Sequence, residues 1–480
     1  MKFFYYFFLL LFTFSVQAQF LRKKKKKTLP YENIVISDSA TQHLVKAIQF
    51  ETLSKPDSLF FYAKEFKKFK AFLKTSYPLV FASLKEIPVN SNSILLKWEG
   101  SNTKLMPNLF MAHQDVVPAK QQNSKWQFPP FGGKIKDGYI YGRGTLDDKS
   151  SLIAIFEATE YALKNKYQPL RTTYFAFGDD EEADGNGAKE IAEYFIKNKI
   201  EFELILDEGP GVGLDIIPEI SKPISFIGIA EKGYATAEIT VDQESGHSSM
   251  PSKHTAIGIL SQAVANIENK PFKAHYHGLA KKLFDEIASE MSFTQRIVFK
   301  NSWLFSGLIK KELSKKYSTN AFIRTTAATT IFTSGQSENV LPHKASATIN
   351  FRLIPGDSVQ DIVPYLNRVI KNPKVKVALK GNTYNASPIA KKKSIGYKAL
   401  SKTSLELFPE AIVAPILVIG STDSRHFNRT CKNILRYIPL RFTNADLEKV
   451  HGFDENIEIE NYHNMIRFYI RFFHNLNEFP

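Results

Sequence analysis

The sequence predicts an α/β fold: a layered domain on a mixed sheet, carrying an inserted α+β unit of two helices on a four-stranded antiparallel sheet. Three observations support this. Strand-like apolar runs alternate with helical segments from about residue 93 to 207, the pattern of a largely parallel layer. After Gly233 the texture changes to period-two strands and a few helices, then returns to the first pattern beyond residue 381. At 480 residues the chain also exceeds what one hydrophobic core usually organises.

Taken in order, residues 1–18 read as a signal peptide and 19–35 as a basic linker. Lys2 precedes the apolar stretch 3–16, and Val16-Gln17-Ala18 offers small residues for cleavage. Export follows from that reading. The five lysines at 23–27 oppose translocation, so an uncleaved, membrane-anchored segment is the alternative. Residues 36–232 form the first part of the main domain. Segments 41–54 and 58–73 have helical spacing, and strands at 93–100, 108–114, 172–177 and 202–207 alternate with helices 151–165 and 188–198. Residues 233–381 form the inserted domain: strands 235–242, 328–335, 345–353 and 374–381, and helices 255–269 and 359–370, the last despite Pro364. Residues 271–325 show no clear period and read as an insertion of helices and loops. Helix 395–408, strand 414–420 and helix 460–475 complete the main domain over 382–480.

Composition is that of an ordinary globular protein, 43% hydrophobic and 23% charged. The formal charge of +15 is partly local, because residues 1–27 hold seven positive charges and no acid, leaving +8 for the remainder. That modest excess comes without a nucleic-acid-binding signature, so no nucleic-acid partner is expected. Contact with a membrane is expected only if the first segment is retained. The single Cys431 excludes an intrachain disulfide and reads as a small buried residue.

The chemistry lies in five segments that follow strand-like runs: MAHQD (111–115), GRGTLDDKS (142–150), FGDDEE (177–182), LILDEG (204–209) and VHGFDE (450–455). They supply His113, Asp147, Glu182, Asp207 and His451, with Glu181 beside them. In an α/β layer such positions collect at the carboxyl ends of the strands. Asp115 in His-x-Asp can hold the second imidazole nitrogen of a metal-bound His113. Asp147 can bridge two metals through its two oxygens, while either Asp147 or Asp148 can instead cap the following helix. Four consecutive acids, Asp179 to Glu182, repel one another unless cations neutralise them. Each motif alone has a plainer reading as a turn, a cap or a solvated loop. As an ordered set they imply two divalent metals and a general base, hence metal-assisted hydrolysis.

On these residues the chain resembles the dinuclear zinc amidohydrolases and metallopeptidases (family M20) that include acetylornithine deacetylase, succinyl-diaminopimelate desuccinylase, aminoacylase and carboxypeptidase S. The resemblance runs from about residue 40 to 475 and includes WQFPPFGG (126–133), SGHSSMP (245–251), ENVLPHKASATINFRLIPGDS (338–358) and GSTDSRHF (420–427). The last two resemble the carboxypeptidase S branch, which also contains N-fatty-acyl-amino acid hydrolases. The resemblance implies a zinc-peptidase catalytic domain with the insertion as a lid and dimerisation domain. It implies two zinc ions, one held by His113 and Asp207 and the other by Glu182 and His451, with Asp147 between them. It further implies Glu181 as general base, Asp115 behind His113, and His247 reaching the active site of the other subunit of a homodimer. Arg352 would grip the substrate's carboxylate, with Asn339, Gly420, Thr422, Arg425 and His426 lining that pocket. The implied substrate is a small peptide or an N-acyl amino acid. Asp179, Ser421 and Pro210 depart from the usual pattern, which bears on substrate preference. A cocatalytic zinc aminopeptidase is the alternative; SGHSSMP and NFRLIPG count against it. A non-catalytic binding protein would lack a ligand or the base, and all are present.

Overall fold

The structure, a computed structural model, describes residues 34–54, 59–119 and 125–479. The expected leader and nearly all of the basic linker lie outside the described residues.

Among them the main layer is a ten-stranded mixed sheet. Its centre is formed by β1 (Ile94–Trp98), β2 (Asn108–His113), β3 (Thr173–Gly178) and β4 (Leu204–Asp207), in the order β1–β3–β2–β4. β2 runs parallel to β3 and β4, whereas β1 is antiparallel to β3. Every residue of β2, β3 and β4 is buried, so these strands must be covered on both faces. Alternation of side chains divides them between two cores. Phe110, Phe175, Phe177 and Leu206 pack with helices α3 (Lys149–Lys164) and α12 (Ile459–Asn477). Leu109, Met111, Tyr174 and Ile205 pack with α4 (Asn186–Lys197). Before these come α1 (Asp38–Ile48) and α2 (Leu59–Ser76). The Lys149 ammonium, fully buried at the start of α3, donates to Ala47 O and Phe50 O at the end of α1.

The chain passes from β5 (Ile224–Glu231) almost directly into the insertion. There β6 (Gly233–Asp242), β7 (Thr326–Ser334), β8 (Lys344–Leu353) and β9 (Val375–Tyr384) form an antiparallel sheet in the order β7–β8–β6–β9. Ala235, Ala237, Ile239 and Val241 of β6 point into a separate core closed by α5 (Ala256–Asn269) and α10 (Ile362–Ile370). Pro364 is tolerated because it stands in the first turn of α10, where a missing N–H leaves no bond unmade. Residues 271–325 fold as α6 (Leu279–Ile287), α7 (Phe293–Lys300), α8 (Ser302–Leu313) and α9 (Tyr317–Ile323). After α11 (Ile395–Leu407), β10 (Ile412–Val418) and β11 (Ile434–Arg436) rejoin the main sheet against β5.

Among the labelled strands, β5 and β11 have no counterpart among those expected from the sequence. β5 is buried along its whole length and shows no alternation. It ends at Glu231, whose carboxylate meets Arg436 at 2.9 and 3.1 Å, both side chains being almost wholly buried. No described helix is long and apolar enough to cross a membrane.

Removing one partner of such a pair strands a buried charge. Arg436→Met should destabilise the protein by about 3–5 kcal/mol, read as a lowered urea midpoint. Adding Glu231→Leu should recover part of that loss.

Candidate metal centre

The parallel pairing of β2, β3 and β4 brings their carboxyl ends to one edge, with His113 directly opposite Gly178. His113 closes β2, the acidic loop leaves β3, and Asp207-Glu208 leave β4. The turn before α3 delivers Asp147 and is held from behind. The buried Glu455 carboxylate accepts the N–H groups of Gly144 and Leu146 at 3.0 and 2.7 Å, and Arg143 bonds it at 2.6 Å. His451 comes from the loop before α12, with φ of +60°, a left-handed conformation that costs a non-glycine about 1–2 kcal/mol.

These elements build two ligand triads that share Asp147. His113, Asp147 and Glu208 form one, and Asp147, Glu182 and His451 the other; the ligand atoms of each lie within 4.8 Å of one another. Asp147 Oδ1 lies 2.9 Å from His113 Nε2, and its Oδ2 lies 3.1 Å from His451 Nε2. Glu182 Oε1 is 3.0 Å from His451 Nε2, and Glu208 Oε2 is 3.6 Å from His113 Nε2. Imidazole and carboxylate donors in this mixture suit zinc. The His113 side chain is 2% exposed and that of His451 51%, so one triad is sealed and the other open.

Asp115 organises the centre without entering either triad. Its two carboxylate oxygens accept the N–H groups of Glu181 and Glu182, both at 3.1 Å, and its carbonyl lies 3.0 Å from His113 Nδ1. The electrostatics show an excess of negative charge. Burial opposes ionisation of Asp147, yet hydrogen bonds from His113 and His451 hold it far below the usual carboxylate range. Burial alone would push His113 down, but Glu208, Asp115 and Asp147 hold it well above its ordinary value. Burial, then Glu208 and Asp423, raise Glu181. Burial and Asp147 raise Glu208, and burial pushes Asp148 up to about 8.

At the end of β4, Asp207 Oδ2 accepts the Ser424 N–H at 2.8 Å, while its neighbour Glu208 stands in the triad with His113 and Asp147. The structure corrects one expectation, that of a helix cap. Asp148 occupies the N-cap position of α3, but its carboxylate makes no capping bond.

The remaining predicted residues form two further groups. Gly420, Thr422, Arg425 and His426 belong to one turn beside the centre. Arg425 lies 3.6 Å from Glu181, and Thr422 donates to Glu231 at 3.1 Å. Burial and Arg425 push His426 down to about 4, so it is neutral. Arg352 reaches this turn from β8, donating to Ser421 Oγ at 3.2 Å with its guanidinium 4.8 Å from the Tyr234 ring centre. Tyr384 also donates to Ser421, at 2.6 Å. His247 and Asn339 lie apart, exposed on a two-stranded ribbon where Ser248 N–H donates to Asn339 O. No described hydrogen bond or ion pair joins them to the triads. Glu208, Asp423, Tyr234 and Tyr384 were not singled out from sequence; only Glu208, next to Asp207, carried a visible signal.

Comparison with known proteins is consistent with this geometry. The sequence profile of Peptidase family M20/M25/M40 matches residues 109–475. A probable carboxypeptidase S-like 2 of Dictyostelium discoideum is 42% identical over 443 residues, covering 91% of this chain and 85% of the relative. The N-fatty-acyl-amino acid synthase/hydrolase PM20D1 of Homo sapiens is 37% identical over 407 residues, covering 84% and 80%. The crystal structure of the M20 metallo-carboxypeptidase Sso-CP2 of Sulfolobus solfataricus shares the fold, with a TM-score of 0.66 at 19% identity, covering 92% of this chain and all of that one.

Glu208→Gln should lower bound zinc from two ions to one by elemental analysis, whereas Asp207→Asn should keep both, its amide oxygen still accepting from Ser424. The reverse pattern would return the ligand role to Asp207. Asp147 and Glu182 push His451 up to about 10, so without metal it holds a proton below that pH and loses it as pH rises through it. Metal competes with that proton, so zinc affinity should climb as pH rises toward 10. Calorimetry of zinc loading near neutral pH, in buffers of differing ionisation enthalpy, should register proton release.

Proposed function

The chain belongs to peptidase family M20/M25/M40 and is a hydrolase, and from that premise we propose that it cleaves an amide next to a free-carboxylate amino acid. The substrate class is a Gly-X type dipeptide or an N-acyl amino acid. The observation that carries this reading is Asp147, whose two oxygens face two different triads.

Two zinc ions fit the donors present, one with His113 and Glu208, the other with Glu182 and His451, sharing Asp147. Bound there, they would supply Lewis-acid polarisation of the carbonyl and a lowered pKa for water. The rest falls to side chains. Glu181 accepts the proton of the attacking water and returns it to the leaving amine. Burial, then Glu208 and Asp423, raise its pKa above the ordinary carboxylate value, which favours uptake of a proton. Asp115 fixes the backbone of Glu181 and Glu182, so that base and ligand stay in register. Arg352, a planar donor fork, takes the substrate carboxylate, with Gly420, Thr422, Arg425 and His426 around it and Asn339 contributing from the ribbon it shares with His247. His247 supplies an oxyanion donor to the other subunit of a homodimer. The relatives named for carboxypeptidase S-like and N-fatty-acyl-amino acid activities support both substrate classes. The leader-like residues 1–18 support an exported enzyme.

Zinc-loaded protein should be incubated with Gly-X dipeptides and with short and long N-acyl amino acids, each as free acid and as ester. Turnover of the free acids and resistance of the esters is the expected result; the opposite preference would sink the carboxylate reading. Glu181→Gln should lower kcat by about 10²–10⁴-fold with both zinc ions retained. Loss of metal in that variant would instead make Glu181 a ligand.

A further inference from the structure

The helices between α5 and β7 carry more apolar surface than their packing uses. On the inner side, Ile309 and Leu313 of α8 pack with Tyr276, Ala280 and Ile323, backed by Val298 and Phe299 of α7. Such faces would satisfy an ordinary surface helix pair. Yet the outer side keeps Phe293 76%, Ile297 41%, Trp303 81%, Leu304 62% and Leu308 49% exposed. Phe293 and Ile297 share one stripe of α7, as Leu304 and Leu308 share one stripe of α8, and the two helices touch. Single exposed apolar side chains need no explanation, but a cluster of five on neighbouring helices does.

The charge around the patch selects the partner. Residues 291–318 contain six Lys or Arg and one acid, Glu312, which pairs with Lys315 at 2.7 Å. Lys300, Lys311 and Lys316 are exposed. We propose that the outer face of α7 and α8 docks on an anionic lipid bilayer, the aromatic and leucine side chains entering the interface and the lysines meeting the headgroups. An apolar face rimmed by lysines matches that surface in both respects. A second copy of the chain fits less well, since a two-fold contact through this face would set its lysines against themselves. The proposal is independent of the hydrolase reading, as none of these residues lies in the metal centre.

The test uses the full chain, with sedimentation against vesicles of phosphatidylcholine alone and of phosphatidylcholine mixed with phosphatidylglycerol. Binding should be about tenfold or more tighter to the anionic vesicles and should weaken with salt. Trp303 emission should shift to the blue on binding. The triple variant Trp303→Ser, Leu304→Ser, Leu308→Ser should lose about tenfold or more of that affinity, while hydrolysing a short N-acyl amino acid at the wild-type rate. The lysine run at 23–27 is present in both proteins, so it cannot produce the difference. Equal binding by the variant, or no shift in Trp303 emission, would overturn the proposal. A wild-type dimer that the triple variant dissolves, with no vesicle binding, would do the same and assign the face to self-association.

Discussion

Carboxylates gathered at one sheet edge repel one another, and much of the catalytic architecture answers that repulsion. Asp147, Glu181, Glu182 and Glu208 converge on two imidazoles, with Asp148 and Asp423 buried close behind. Two imidazolium groups cannot balance so many acids, and burial together with the neighbouring carboxylates raises Glu181, Glu208 and Asp148. A pair of divalent cations would restore the balance where the ligand atoms already converge. Such a cluster is costly in the metal-free chain and becomes an asset once cations are held.

The surrounding scaffold keeps these acids from relaxing away. Asp115 ties the loop after β3 to the end of β2, and Glu455 with Arg143 ties the turn before α3 to the loop carrying His451. Glu231 and Arg436 perform the same service for the turn at 420–427, since Thr422 bonds to the same carboxylate. Each tie is buried and charged, so each holds only while both partners remain in place. The outermost histidine, His451, is half exposed, so the centre opens to solvent on that side.

Much of this was legible in sequence because metal ligands at strand ends leave local marks. His113, Asp147, Glu182 and His451 each stand in a short motif, and the alternation of strands and helices places them on one edge. The choice between Asp207 and Glu208 was not legible, because two neighbouring carboxylates differ only in which way the strand end turns them. β5 and β11 were not legible: like β2 to β4 they are buried without alternation, but neither is followed by one of the five chemical motifs that mark a strand end. The clamp between Arg143 and Glu455 was invisible for another reason: its partners stand 312 residues apart. Local pattern reports local geometry, and such a contact exists only once the fold has closed.

Arg352 belongs to the inserted sheet, while Ser421 belongs to the catalytic layer, and the hydrogen bond between them crosses from one to the other. The hydroxyl is a neutral partner, so the guanidinium keeps its full appetite for an anion. A carboxylate arriving at Arg352 would therefore compete with a contact that also fixes how the inserted sheet sits. Occupancy of such a pocket and attitude of the inserted sheet would then be two readings of a single equilibrium. By thermodynamic reciprocity, whatever stiffens that junction must change the grip on the ligand by an equal amount.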